Sequence, residues 1–165
     1  MNRPPVFLPP SFKWTPPGFG GFPILAILKN LPEEATYRLV AGNTGTGVYA
    51  HDGPYTDFID VRELTELSQV TKTPDLVFGG NASLAQVINT MQQMAEDDPQ
   101  NYSYGNQVVT HLKKVAHTSV RNTGTIAGNL MMKHAHPEFP SDVFLNLEAL
   151  GAVIMVKEMD GTSKE

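Results

Sequence analysis

The stretch Val120-Arg121-Asn122-Thr123-Gly124-Thr125-Ile126-Ala127-Gly128-Asn129-Leu130 decides the reading of this chain. It alternates small or hydroxyl residues with apolar ones, which leaves backbone amides, threonine hydroxyls and an asparagine amide to meet a polyanionic ligand at close range. A second run of the same character, Ala41-Gly42-Asn43-Thr44-Gly45-Thr46-Gly47, follows the strand-like Tyr37-Arg38-Leu39-Val40-Ala41. Glycine lets a backbone approach phosphate closely, and successive amide N–H groups form a concavity that stabilises anions. Two such loops in one small chain point to one nucleotide gripped from both sides, so Leu39 to Gly47 and Thr123 to Asn129 are expected within one ligand's length of each other.

Outward from these loops the pattern is mixed. Asp57-Phe58-Ile59-Asp60-Val61 and Asp75-Leu76-Val77-Phe78-Gly79-Gly80 read as short strands, and Ile24 to Leu28 as one or two helical turns ending near Asn30-Leu31-Pro32. Ser83 with Gln86 forms a capping box for a helix in which Leu84, Val87, Ile88, Met91 and Met94 recur at helical spacing before Pro99. Val108, Val109, Leu112, Val115 and Ala116 predict another helix running straight into the second loop. A third begins at Ser141, with Val143, Phe144, Leu147 and Leu150 apolar and Gly151 placed as its C-terminal cap. The fold class expected is α+β.

At the two ends the pattern changes. Pro4, Pro5, Pro9, Pro10, Pro16 and Pro17 exclude a helix and predict an extended linker over residues 1–22, ahead of one domain over 23–165. Ala152 to Glu158 reads as a strand and Asp160-Gly161 as a hairpin turn, after which only Thr162 to Glu165 remain for the return strand. A hydrophobic strand left at a sheet edge invites association. The expectation is therefore a domain whose C-terminal part is truncated.

Composition sets bounds. With 165 residues, 41% of them hydrophobic, the chain can bury a core. A net charge of −5 and a pI near 5.5 give no electrostatic footprint for nucleic acid or an anionic membrane. No apolar run is long enough to span a bilayer or to resemble a signal peptide, so a cytoplasmic location is expected. The absence of cysteine excludes disulfides, thiolate zinc sites, a cysteine nucleophile and an ordinary iron–sulfur cluster within this sequence. No serine sits in a nucleophile elbow and no carboxylates pair in an acid–base setting, so no catalytic residue is assigned.

The two loops, their order and the following Glu138-Phe139-Pro140-Ser141-Asp142 resemble the FAD-binding (PCMH-type, vanillyl-alcohol-oxidase-like) domain of the molybdenum hydroxylases, the xanthine dehydrogenase and aldehyde oxidase family. The resemblance runs from about Tyr37 to Gly161, is strongest towards insect-type aldehyde oxidases, and rests mainly on the second loop. It implies that Leu39, Val40, Ala41, Gly42, Asn43, Thr44, Gly45 and Thr46 meet the cofactor from one side. Thr123, Gly124, Thr125, Gly128, Asn129 and Met131 then line its pyrophosphate and ribityl chain from the other, and Asp142 accepts from a ligand hydroxyl. The position that carries an aromatic against the flavin in mammalian relatives corresponds to Val115, followed by Ala116; an apolar edge can pack on the ring, but stacking is lost. In the complete enzyme the resemblance implies two iron–sulfur (2Fe–2S) clusters before this domain, a molybdenum cofactor domain after it, and a homodimer.

Several residues admit ordinary roles beside these. Gly45-Thr46-Gly47-Val48-Tyr49-Ala50 fits the G-x-G-x-x-A form, yet His51-Asp52-Gly53-Pro54 interrupts the crossover helix a Rossmann unit needs, and Val48 stands where a Walker A loop has lysine. The first loop is then either a plain turn or a pyrophosphate contact. Arg121 suits either a phosphate or a surface ion pair, and Asp142 either a ligand hydroxyl or the N-terminal dipole of its helix. His134 and His136 would share one side of a strand as a metal pair or belong to a polar loop; with no third ligand at suitable spacing, no metal is assigned. The methionines at 91, 94, 131, 132 and 155 fit core or edge filling.

The first expectation is therefore an FAD-binding, electron-transferring domain of an aldehyde oxidase-like enzyme, passing electrons from iron–sulfur clusters through FAD to oxygen and inactive on aldehydes by itself. A non-catalytic remnant that keeps the fold without flavin chemistry is the alternative from another class. A small flavin subunit working with separate cluster and molybdenum subunits is a third.

Overall fold

The computed structural model describes residues 23–50, 52–72, 75–158, 160 and 162–164, so the expected linker over residues 1–22 lies outside the described residues. The elements run α1 (Pro23–Lys29), β1 (Tyr37–Val40), β2 (Asp57–Asp60), α2 (Thr65–Ser68), β3 (Val70–Thr71), β4 (Val77–Phe78), α3 (Leu84–Asp97), α4 (Pro99–Tyr102), α5 (Gly105–Leu112), α6 (Thr118–Thr123), α7 (Ile126–Ala135), α8 (Asp142–Ala149), β5 (Val156–Lys157) and β6 (Ser163–Lys164). The described residues form two compact units, one within 23–40, 47–61 and 153–164, the other within 41–46 and 62–152.

In the first unit β1 and β2 pair in parallel from Tyr37 opposite Asp57 to Val40 opposite Asp60. Thr36 and Thr56 lock the start of that ladder: the Thr56 amide donates to the Thr36 carbonyl at 2.7 Å and the Thr36 amide to Thr56 Oγ1 at 3.0 Å. Ile24, Ile59 and Val61 are buried here. β5 and β6 pair in antiparallel, Val156 opposite Lys164 and Lys157 opposite Ser163. Asp160 holds the connecting turn by accepting from the amide and hydroxyl of Thr162, both at 2.7 Å, and these two bonds hold its carboxyl below the usual carboxylate range. Among the described residues, the strand expected over Ala152 to Glu158 forms a ladder at Val156–Lys157, and the Glu158 amide donates to the Thr162 carbonyl at 2.9 Å. Val153 to Val156 are 47–63% exposed.

The second unit holds the larger core. The capping box is present: the Gln86 amide donates to Ser83 Oγ at 3.1 Å and Gln86 Oε1 accepts from the Ser83 amide at 3.2 Å. Thus started, α3 presents Leu84, Val87, Ile88 and Met91 to Val108, Val109 and Leu112 of α5 and to Val143 of α8. Burial of each large aliphatic side chain contributes roughly 1.5–3 kcal/mol. The helices cross closely at Gly105, where a Cβ would lie 2.8 Å from the Met91 carbonyl oxygen. At the far end of α8 a Schellman motif closes on Gly151 (φ +63°), whose amide donates to the Glu148 carbonyl while that of Ala152 reaches Leu147.

Three expectations are corrected. The strand read over Asp75 to Gly80 shortens to β4, paired with the unforeseen β3, and a turn in which the Ala82 amide donates to the Gly79 carbonyl at 2.9 Å follows it. The helix read through Ala116 stops at Leu112; Lys113 to Ala116 form a corner, with Ala116 at φ +49°. Most of Val120 to Leu130, read as one loop, is helix: α6 and α7 meet at Gly124-Thr125. Ile126 and Leu130, four apart, pack on the core and hold α7 in place despite Gly128.

Candidate functional site

The corner between α6 and α7 is built against the start of α3. Thr125 is the N-cap of α7, its Oγ1 accepting from the Gly128 amide at 3.1 Å, and it faces Ser83, the N-cap of α3, across an antiparallel bridge. The Leu84 amide donates to the Gly124 carbonyl and the Ile126 amide to the Ala82 carbonyl, both at 3.0 Å, while the Ala127 amide reaches Gly80 at 2.9 Å. Two helix N-termini are thereby stitched side by side. The cost is amides: those of Gly124, Ile126, Ala127, Gly128 and Asn129 all donate within the protein. N-capping and the bridge to α3 thus occupy these backbone donors of the second stretch.

Ala41 to Thr46 packs on that corner. A Cβ on Gly42 would overlap the Thr123 carbonyl oxygen, and one on Gly124 would lie 3.1 Å from Thr44 Oγ1. A Cβ on Gly45 would overlap the Met132 side chain. Asn43 takes a left-handed conformation at φ +53°, and its Oδ1 accepts from Thr46 Oγ1. Among the described residues, the amides of Gly42, Asn43, Thr44 and Gly45 donate to no protein acceptor. Successive unspent amides around a left-handed residue make an anion-binding concavity.

The remaining expected site residues divide. Asn129 Oδ1 accepts from Ser141 Oγ at 2.5 Å, and Ser141, buried, caps α8 by accepting from the Phe144 amide at 2.9 Å. That chain of bonds carries α7 to Asp142, the first residue of α8. Asp142 Oδ1 lies 3.2 Å from Nε2 of His111, a residue on α5 that the sequence reading did not single out. Thr123 gives its hydroxyl to the Ser119 carbonyl at 3.0 Å. Met131 is 60% exposed, whereas Val115 packs against the core. Ala116 is exposed. Leu39 and Val40 lie on β1, in the first unit.

Arg121 takes neither role foreseen for it. Its Nη1 donates to the carbonyls of Lys113, Val115 and Ala116 at 3.2, 2.9 and 2.7 Å, and Nη2 to Thr118 Oγ1 at 3.1 Å. It holds the corner after α5, whose carbonyls have no helical partner. His134 lies on α7 and His136 at its C-cap, so they do not share a strand face; His136 Nδ1 lies 3.6 Å from Glu138 Oε1. Among the described residues no three His, Asp or Glu side chains group to hold a metal, and no helix is long and apolar enough to cross a membrane. A depression of about 420 Å³ is lined by Asn106, Gln107, Thr110 and His111 of α5 and by Lys114 just after it.

Residues 23–165 match the family model of the FAD-binding domain in molybdopterin dehydrogenase. The chain belongs to that family. This FAD-binding domain is 31% identical over 158 residues to abscisic-aldehyde oxidase of Arabidopsis thaliana, covering 93% of the chain and 11% of that protein. It is 35% identical over 130 residues to an indole-3-acetaldehyde oxidase of Zea mays, covering 76% and 9%. The chain thus spans about a tenth of the length of the curated relatives it matches. Among solved structures, a chain of carbon monoxide dehydrogenase from Hydrogenophaga pseudoflava superposes with a TM-score of 0.51 at 21% identity, over 75% of this chain and 40% of that one, which supports the shared fold. The expected α+β flavin-domain fold is thereby established.

Proposed function

We propose that Ala41 to Thr46 is the pyrophosphate-binding element of this FAD-binding domain and that the α6–α7 corner is the scaffold that shapes it. The observation that carries this reading is the run of four amides, Gly42 to Gly45, without protein acceptors among the described residues, in a loop seated so closely on the Thr123 backbone that Gly42 admits no side chain. The amides would donate to phosphate oxygens, and the Asn43 and Thr44 side chains, both exposed, would add donors. The Asp142 carboxylate accepts from a ribityl or ribose hydroxyl. FAD, when bound, supplies one- and two-electron transfer; the chain's own part is to hold and orient it.

The wider reading rests on this one. In the complete protein, we propose, the domain receives electrons from iron–sulfur clusters carried elsewhere and passes them through FAD to oxygen, in an aldehyde oxidase-like, cytoplasmic homodimer, with residues 1–22 as the linker ahead of a domain over 23–165. The chain contains no cysteine, so any cluster lies outside this sequence. Fluorescence titration of the purified chain with FAD tests the cradle: the Gly42→Ala and Asp142→Asn variants are each expected to bind more weakly than the parent. Unchanged affinity in both would overturn the site assignment.

A further inference from the structure

We infer that His111 is a positioning residue for Asp142: a neutral imidazole, held in one tautomer by Asn146, aims the carboxylate toward the ligand. The inference rests on the reading of Asp142 as a ligand-hydroxyl acceptor. Its geometry begins on α8, where Asn146 Nδ2 donates to the Asp142 carbonyl at 2.7 Å. A carbonyl only accepts, so the Asn146 amide must present its NH2 group there. The same nitrogen lies 3.1 Å from His111 Nδ1. Nδ1 therefore accepts, and the ring proton resides on Nε2, which faces Asp142 Oδ1 at 3.2 Å.

The consequence is a carboxylate fixed from several helices. Its backbone is set by the Ser141 cap, which is tied to Asn129 on α7, and its side chain is set from α5 by His111. Oδ2 has no hydrogen-bond partner among the described residues and is the oxygen left to accept from a ligand. Without the imidazole the Asp142 side chain regains its rotamers, and ordering it on binding costs affinity. The pair is part-exposed, with side-chain accessibilities of 39% and 45%, so its contribution to stability alone is small.

Glutamine at position 111 can reproduce both contacts, donating through its NH2 and accepting through its oxygen; leucine can make neither. FAD titration of the chain, with thermal melts to verify folding, therefore compares the parent with His111→Leu, His111→Gln and Asp142→Asn. The expected result is an affinity loss of about three- to tenfold for His111→Leu, a change within about twofold for His111→Gln, and no further loss when His111→Leu is added to Asp142→Asn. Parent-like binding by His111→Leu with weakened Asp142→Asn overturns the inference and leaves the Asp142 reading standing. Equal losses for leucine and glutamine also overturn it. Parent-like binding by Asp142→Asn removes the reading and the inference together. Long-range proton–nitrogen NMR on the unaltered chain reads the tautomer directly and decides the matter even where His111→Leu fails to fold: Nε2–H is expected, and Nδ1–H overturns the inference.

Discussion

Gly42 lies against the backbone carbonyl of Thr123 with no space for a side chain between them. Residues 81 positions apart in the sequence are thus in direct contact, and the contact brings the unspent amides of one loop onto the stitched corner of the other. Alanine at 42 meets an immovable backbone atom and not the end of a flexible side chain. Gly42→Ala is expected to destabilise the unit by about 1–3 kcal/mol through overpacking. Urea denaturation measures this, and FAD affinity should fall with it.

The facing caps give a second prediction. Ser83→Ala and Thr125→Ala each remove a side chain that accepts from its helix's first turn, an expected loss of about 1 kcal/mol apiece. Because the two caps also face each other across the bridge that ties α3 to α7, their effects should not add. A double-mutant cycle by chemical denaturation tests this; strict additivity would show that the helix N-termini are independent.

Asn129 is the third. Its Oδ1 accepts from the buried Ser141 hydroxyl, so Asn129→Leu leaves that hydroxyl without its acceptor at an expected cost of about 1–3 kcal/mol. In a complete enzyme carrying this domain, flavin content should drop while molybdenum content is unchanged. Asn129→Asp, which keeps an acceptor in place, should retain more flavin than the leucine variant.

Much of this domain was legible in its residues. Ser83 and Gln86 marked the start of α3, Ser141 and Gly151 bracketed α8, and the apolar spacing of α3 named its buried face, because caps and periodicity are local signals. The hydrogen bonding of the two Gly-rich stretches was not legible. Gly124, Gly128 and the threonines suggest a ligand loop until Ala82 and Gly80, some forty residues away, accept from Ile126 and Ala127 and use up the donors. His111 was missed for the same reason: nothing near it in sequence shows that α8 brings Asp142 and Asn146 to its ring. Arg121 likewise resembles a phosphate ligand until the corner after α5 places three carbonyls within its reach.

That corner carries the last prediction. Ala116 sits at φ +49°, a conformation that costs an L-residue roughly 1–2 kcal/mol and glycine almost nothing. Ala116→Gly is therefore expected to hold or raise stability by up to about 1 kcal/mol, the gain being offset in part by the freer unfolded chain. Arg121→Met removes the guanidinium that bonds the carbonyls of Lys113, Val115 and Ala116, and should lower stability by about 1–3 kcal/mol. A role on phosphate and the role on backbone carbonyls differ in their response to salt. An arginine on the ligand's phosphate would make FAD affinity fall more steeply with ionic strength in the parent than in the methionine variant, since exposed charge pairs are screened. An arginine committed to backbone carbonyls leaves the two slopes parallel. Parallel slopes with weaker binding throughout are expected from FAD titrations across a salt series; a flatter slope for Arg121→Met would return the residue to the phosphate.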